Sequence, residues 1–234
     1  MRPFELFGPD HLLVLLAIAV VTLSLTLLVR KNPWGIVSVA ARVGLALYLL
    51  LVGGLVFVMA ARSGLFRLIE LLPFHLCDMA IILAVVALLW RIPWVYEVLY
   101  FWALAGTLLA IFTPDVPMGF PDPAFLSFFG IHAGVVASAC VLTWGEGMRP
   151  RPGAAWTVFG ITNAYAGLVG IVNFIAGTNF MYLNRKPSSP TLLDMLGPWP
   201  WYLLVADALA LGLFLLLELP FRRRAAPVMP DRVE

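Results

Sequence analysis

Residues 12 to 31 read Leu12-Leu13-Val14-Leu15-Leu16-Ala17-Ile18-Ala19-Val20-Val21-Thr22-Leu23-Ser24-Leu25-Thr26-Leu27-Leu28-Val29-Arg30-Lys31, an apolar run closed by two cations. A hydrocarbon core of about 30 Å takes roughly 20 such residues per helical crossing, at about 1.5 Å per residue. The stretch therefore reads as a transmembrane helix. Met1-Arg2-Pro3-Phe4-Glu5 before it holds no basic cluster, and no small-residue cleavage site follows, so a retained helix is expected rather than a signal peptide.

Working outward, the same pattern recurs. Spans are expected at 9–29, 36–60, 73–90, 94–113, 125–145, 154–176 and 199–220. Asn32-Pro33-Trp34, Ile92-Pro93-Trp94 and Pro198-Trp199-Pro200-Trp201-Tyr202 mark helix starts at the membrane surface. With 62% hydrophobic residues, 12% charged and a mean hydropathy of +0.96, the chain has no normal soluble surface to offer. The expected fold is all-α and polytopic: one seven-helix transmembrane domain over 1–224, then a short cytoplasmic tail, 225–234, expected to be disordered.

The loops after the first, third, fifth and seventh spans carry Arg30, Lys31, Arg91, Arg149, Arg151, Arg222, Arg223, Arg224 and Arg232; the other side has Arg2, Arg62, Arg67, Arg185 and Lys186. That bias predicts an N-terminus outside and a cytoplasmic C-terminus. On the outer side, residues 62–72 mix Arg62, Arg67 and Glu70 with apolar residues, as either an interfacial helix or an extension of the second span. Residues 114–124 are too rich in proline for a helix, and 177–198 form the longest connection.

Polar groups are costly in hydrocarbon, and here they cluster at the outer end. At about 1.5 Å per residue, Cys77 lies about 6 Å below Pro73, His132 about 10 Å below Phe125 and Asn173 about 6 Å below Gly177. In Pro73-Phe74-His75-Leu76-Cys77-Asp78, His75 and Asp78 are three apart and share a helix face, which leaves Cys77 to find a partner on another helix. His132 is the candidate, because a neighbouring imidazole and the positive end of a helix both activate a thiol. Cys140 falls near the inner end of its helix, so a disulfide with Cys77 is not expected. Glu97 and Asp207 read as paired structural polars, and Gly167, Gly170 and Gly177 as a surface for close helix packing.

Pro73 to Asp78, Ile131-His132, Asn173, Gly177-Thr178-Asn179-Phe180-Met181-Tyr182-Leu183, Lys186-Pro187 and Leu196 to Tyr202 together resemble the signature of the YwaF-like integral membrane proteins, relatives of the eukaryotic transmembrane protein 164. The resemblance implies an acyltransferase that moves fatty acyl groups between phospholipids, with Cys77 as nucleophile and His132 as its histidine. Phe180 stands where an aromatic residue, often Tyr, is expected. The resulting expectation is lipid acyl transfer or hydrolysis near the outer leaflet, catalysed by Cys77 and His132 with His75. Asp78, Asn173, Asn179, Tyr182, Arg185 and Lys186 would bind substrate or its oxyanion. The expected partner is a membrane phospholipid or fatty-acyl substrate, with no cofactor and no nucleic acid. Two alternatives stay open: a zinc-dependent, ceramidase-like hydrolase using His11, His75 and His132, and a lipid or small-molecule transporter without covalent chemistry.

Overall fold

A computed structural model describes residues 2–64, 67–187 and 191–222. The expected tail 225–234, with Arg223 and Arg224, lies outside them. Seven helices run back and forth: α1 Pro9–Lys31, α2 Ile36–Ser63, α3 Leu76–Trp90, α4 Pro93–Phe112, α5 Pro123–Gly145, α6 Ala154–Ala176 and α7 Trp201–Arg222. All but α3 are long and apolar enough to cross a membrane. The described residues contain one isolated β-bridge, Pro3 to Met118, and no strand.

The helices sort by burial. In α4 and α5, 67% and 61% of the apolar window is buried inside the protein, against 11% in α1 and α2 and 17% in α6 and α7. The first two form the centre, where Tyr96, Leu99, Tyr100 and Phe101 pack with Leu88, Leu142 and Phe214. The others turn broad apolar faces outward, as lipid-facing helices do. Both central helices contain a π-helical turn, Trp102–Thr107 in α4 and Val141–Gly145 in α5.

One end of the bundle, remote from the N-terminus, is fastened by buried carboxylates. Glu146 pairs with Arg42 at 2.9 Å and Arg91 at 3.0 Å and accepts a hydrogen bond from Ser38, tying α2, the end of α3 and α5 together. Arg151 holds Glu97 through two N–H donors at 2.7 Å. Glu218 accepts from the Gly153 and Ala155 amides that open α6 and pairs with Arg222. Glu97 is thus a paired structural polar, and so is Asp207, which accepts from Asn163 at 3.0 Å.

Two readings of segments need correction. The 62–72 stretch is neither a surface helix nor a simple extension: α2 runs to Ser63 and stops at Gly64 in the left-handed region, φ 66°. A short 3-10 turn, Leu68–Leu71, follows, closed by Arg67 and Glu70; Leu65 and Phe66 lie outside the described residues. Nor do the three glycines make a packing surface. A Cβ at Gly167 would meet open space, one at Gly170 would meet only the Leu183 side chain of a connection at 3.9 Å, and Gly177 ends α6 at φ 63°, a conformation glycine adopts without penalty.

Candidate functional site

The length of α3 sets the depth of the site. Its C-terminal end is held at the remote face, where Arg91 pairs with Glu146 and covers the Trp34 ring at 4.4 Å. Fifteen residues at about 1.5 Å each span about 22 Å of a roughly 30 Å core. The other end of α3 therefore starts some 8 Å inside the face that carries the N-terminus, by the same arithmetic. His75 caps that end, and Cys77 and Asp78 fall in the first turn, all three half-buried. Capping leaves His75 in an extended conformation outside the helical turn, yet it and Asp78 remain electrostatic neighbours.

Two connections close over this recess. Phe180 packs edge-on against Phe74 and His75, both at 5.4 Å between ring centres, so an apolar ring suffices at that position. The Met181 amide donates to His75 Nδ1 at 3.3 Å, which puts the proton of a neutral ring on Nε2. Met181 and Tyr182 hold left-handed backbone at φ 56° and 54°, a costly conformation for non-glycine residues that concentrates at functional sites. The Tyr182 hydroxyl donates to Asp115 at 3.4 Å. Burial first, then the Asp115 carboxylate, push this phenol up to about 12, with smaller contributions from Cys77 and Asp78 beside it. Tyr182 is thus a neutral hydrogen-bond donor at physiological pH. Asp115 comes from the proline-rich 114–124 loop, which is pinned to the N-terminal segment through Phe4 N–H to Pro117 and Gly119 N–H to Arg2.

The asparagines shape the recess rather than face into it. Asn173 accepts from Phe180 N–H and the Thr178 hydroxyl, each at 2.8 Å, and donates to the Phe180 carbonyl at 2.9 Å. Asn179 accepts from the Asn184 and Arg185 amides and donates to the Arg185 carbonyl. Both hold the loop that carries Phe180, Met181 and Tyr182. Lys186 lies 3.6 Å from Asp194 and over the Tyr202 ring, whereas the Arg185 side chain is exposed.

His132 sits on α5, which packs against α3, and its ring stacks on Phe128 at 4.0 Å. Its Nδ1–H donates to the Phe128 carbonyl at 2.7 Å, while Nε2 is buried without a hydrogen-bond partner. Among the described residues no hydrogen bond joins Cys77 to His132. His11 is elsewhere. It is fully buried, accepting from Phe7 N–H at 3.0 Å and donating to the Ile111 carbonyl at 3.0 Å, so both nitrogens serve the fold. Among the described residues no three His, Cys, Asp or Glu side chains form a group that could hold a metal ion, so His11, His75 and His132 are not a zinc triad.

Sequence reasoning missed Asp115 and Tyr165. Asp115 looked like part of an irregular loop. Tyr165, whose hydroxyl donates to the Phe74 carbonyl at 3.0 Å, looked like one more aromatic residue of a span.

The chain belongs to the TMEM164 family, whose family model matches residues 6–218. No curated protein and no solved structure matches it at a significant level.

Proposed function

We propose that the protein is a membrane-embedded lipid acyltransferase or acyl hydrolase with Cys77 as nucleophile and His132 as general base. The observation that carries this reading is the state of His132. With Nδ1–H committed to the Phe128 carbonyl, the ring keeps a free lone pair on a buried Nε2, the form a base needs before it takes a proton. Buried polar atoms are seldom left unpartnered without a reason.

In the proposed cycle His132 Nε2 takes the Cys77 proton as the thiolate attacks an ester carbonyl. The C–O bond breaks, the departing lipid alkoxide takes the proton from the imidazolium, and an acyl thioester remains on Cys77. A lysolipid hydroxyl or water then attacks the thioester and gives its proton to Nε2; the C–S bond breaks, the acyl group leaves as an ester or a free acid, and the Cys77 thiolate takes the proton back from the imidazolium. Tyr182, a neutral phenol beside Cys77, would stabilise the oxyanion by turning its hydroxyl from Asp115 toward it. Arg185 would meet a headgroup phosphate. His75 and Asp78 would fix the proton arrangement at the start of α3.

Turnover of an acyl-labelled phospholipid by purified protein tests this reading. Cys77→Ala should abolish turnover and labelling by a thiol-reactive lipid probe, and Cys140→Ala should change neither. His132→Ala should lower turnover by about 10²–10⁴-fold, the usual contribution of a general base, while keeping slow labelling. Full turnover in Cys77→Ala would rule out covalent catalysis.

A further inference from the structure

Arg30 at the end of α1 and Arg149 in the loop after α5 are exposed, and among the described residues neither side chain makes an ion pair or hydrogen bond. Both line a cavity of about 430 Å³ at the face remote from Cys77, together with Thr143, Trp144 and Glu146. Glu146 does not neutralise them, because Arg42 and Arg91 already occupy it. Thr143, Trp144 and Gly145 of its wall belong to the π-helical turn of α5, an irregularity often found at functional sites.

A second cavity, about 410 Å³, begins at the same two residues, Arg30 and Trp144, and descends between α1, α4 and α5. Its walls are apolar, with Ile18, Thr22, Val136 and Cys140 among them. From Arg30 to Leu15 along α1 it covers about 22 Å, more than the roughly 15 Å of one leaflet. Trp144 stands where the two cavities meet, at the level an interfacial tryptophan prefers.

An apolar channel one leaflet deep, opening at a mouth with two uncompensated guanidinium groups, matches one kind of molecule. We infer that this groove binds an anionic glycerophospholipid, its phosphate between Arg30 and Arg149 and one acyl chain along α1. A second copy of the chain would leave both arginines in want of carboxylates. A free phosphate would make no use of the groove. The site is separate from Cys77 and does not rest on the proposed chemistry.

The test compares retention of phosphatidylglycerol and phosphatidylcholine, with identical acyl chains, by native mass spectrometry of the full chain released from nanodiscs. Anionic lipid should be favoured roughly 25-fold, and Arg30→Gln or Arg149→Gln should each cut that preference about fivefold, as expected for about one surface cation each. Thr22→Trp should fill the groove and lower retention of both lipids. Cys77→Ala should keep the preference, and millimolar inorganic phosphate should not displace the lipid. Arg149 is exposed in a loop, so its variant carries the test if another fails to fold. Equal retention of the two lipids, unchanged preference in Arg149→Gln, or displacement by phosphate would each overturn the proposal. So would a lipid-independent dimer that Thr22→Trp breaks.

Discussion

Asn173 holds three groups of one loop with a single carboxamide. It is 1% exposed, and the Phe180 N–H and C=O it satisfies have no water to turn to. Asn173→Leu keeps the volume but removes all three bonds, and each buried group left unsatisfied costs about 1–3 kcal/mol. The variant should unfold at lower temperature in detergent. Because the freed loop carries the strained Met181 and Tyr182, any lipid turnover should fall even well below the unfolding temperature. An unchanged melting temperature would mean that the loop does not depend on this side chain. The depth of Asn173 was legible, since a polar group near the end of an apolar run is conspicuous. Its role was not, because an asparagine that meets substrate and one that meets its own backbone leave the same mark in a sequence.

Helices were legible to within a turn, for a physical reason: in hydrocarbon every backbone polar group must be satisfied internally, so a long apolar run has hardly any fold but a helix. What escaped reading depends on partners far along the chain. The π-helical turns in α4 and α5 have no local signature. The cluster of Glu146, Arg42, Arg91 and Ser38 joins Glu146 to Ser38 and Arg42 more than a hundred positions away, and Glu146 falls just past the expected span 125–145. Yet this cluster anchors α3 at the remote face and thereby recesses Cys77. Removing one partner of a buried ion pair costs about 3–5 kcal/mol, because the others remain charged and unpaired. Glu146→Ala should therefore destabilise the protein by about that amount in thermal or denaturant unfolding. Arg2→Ala, which removes an exposed pair with Asp10, should cost no more than about 1 kcal/mol. Equal effects would show that the remote-face cluster is no anchor.

At the scale of the whole molecule, the two candidate sites lie at opposite ends, so orientation decides which leaflet each one serves. Cys77 lies toward the face that carries the N-terminus, under the connections that cover it, and the groove with Arg30 and Arg149 lies at the other. Arginine and lysine are concentrated on the second face, the distribution of a cytoplasmic side. The inferred anionic-lipid groove would suit that side, since the cytoplasmic leaflet of a cell membrane is the negatively charged one. In a Cys77→Ala, Cys140→Ala background, Arg185→Cys should react with a membrane-impermeant maleimide on intact cells, and Arg149→Cys only after lysis. Both arginines are exposed, so access and not burial governs the result. The reverse pattern would put acyl chemistry in the cytoplasmic leaflet and leave the basic groove facing a leaflet whose charge gives it little to bind.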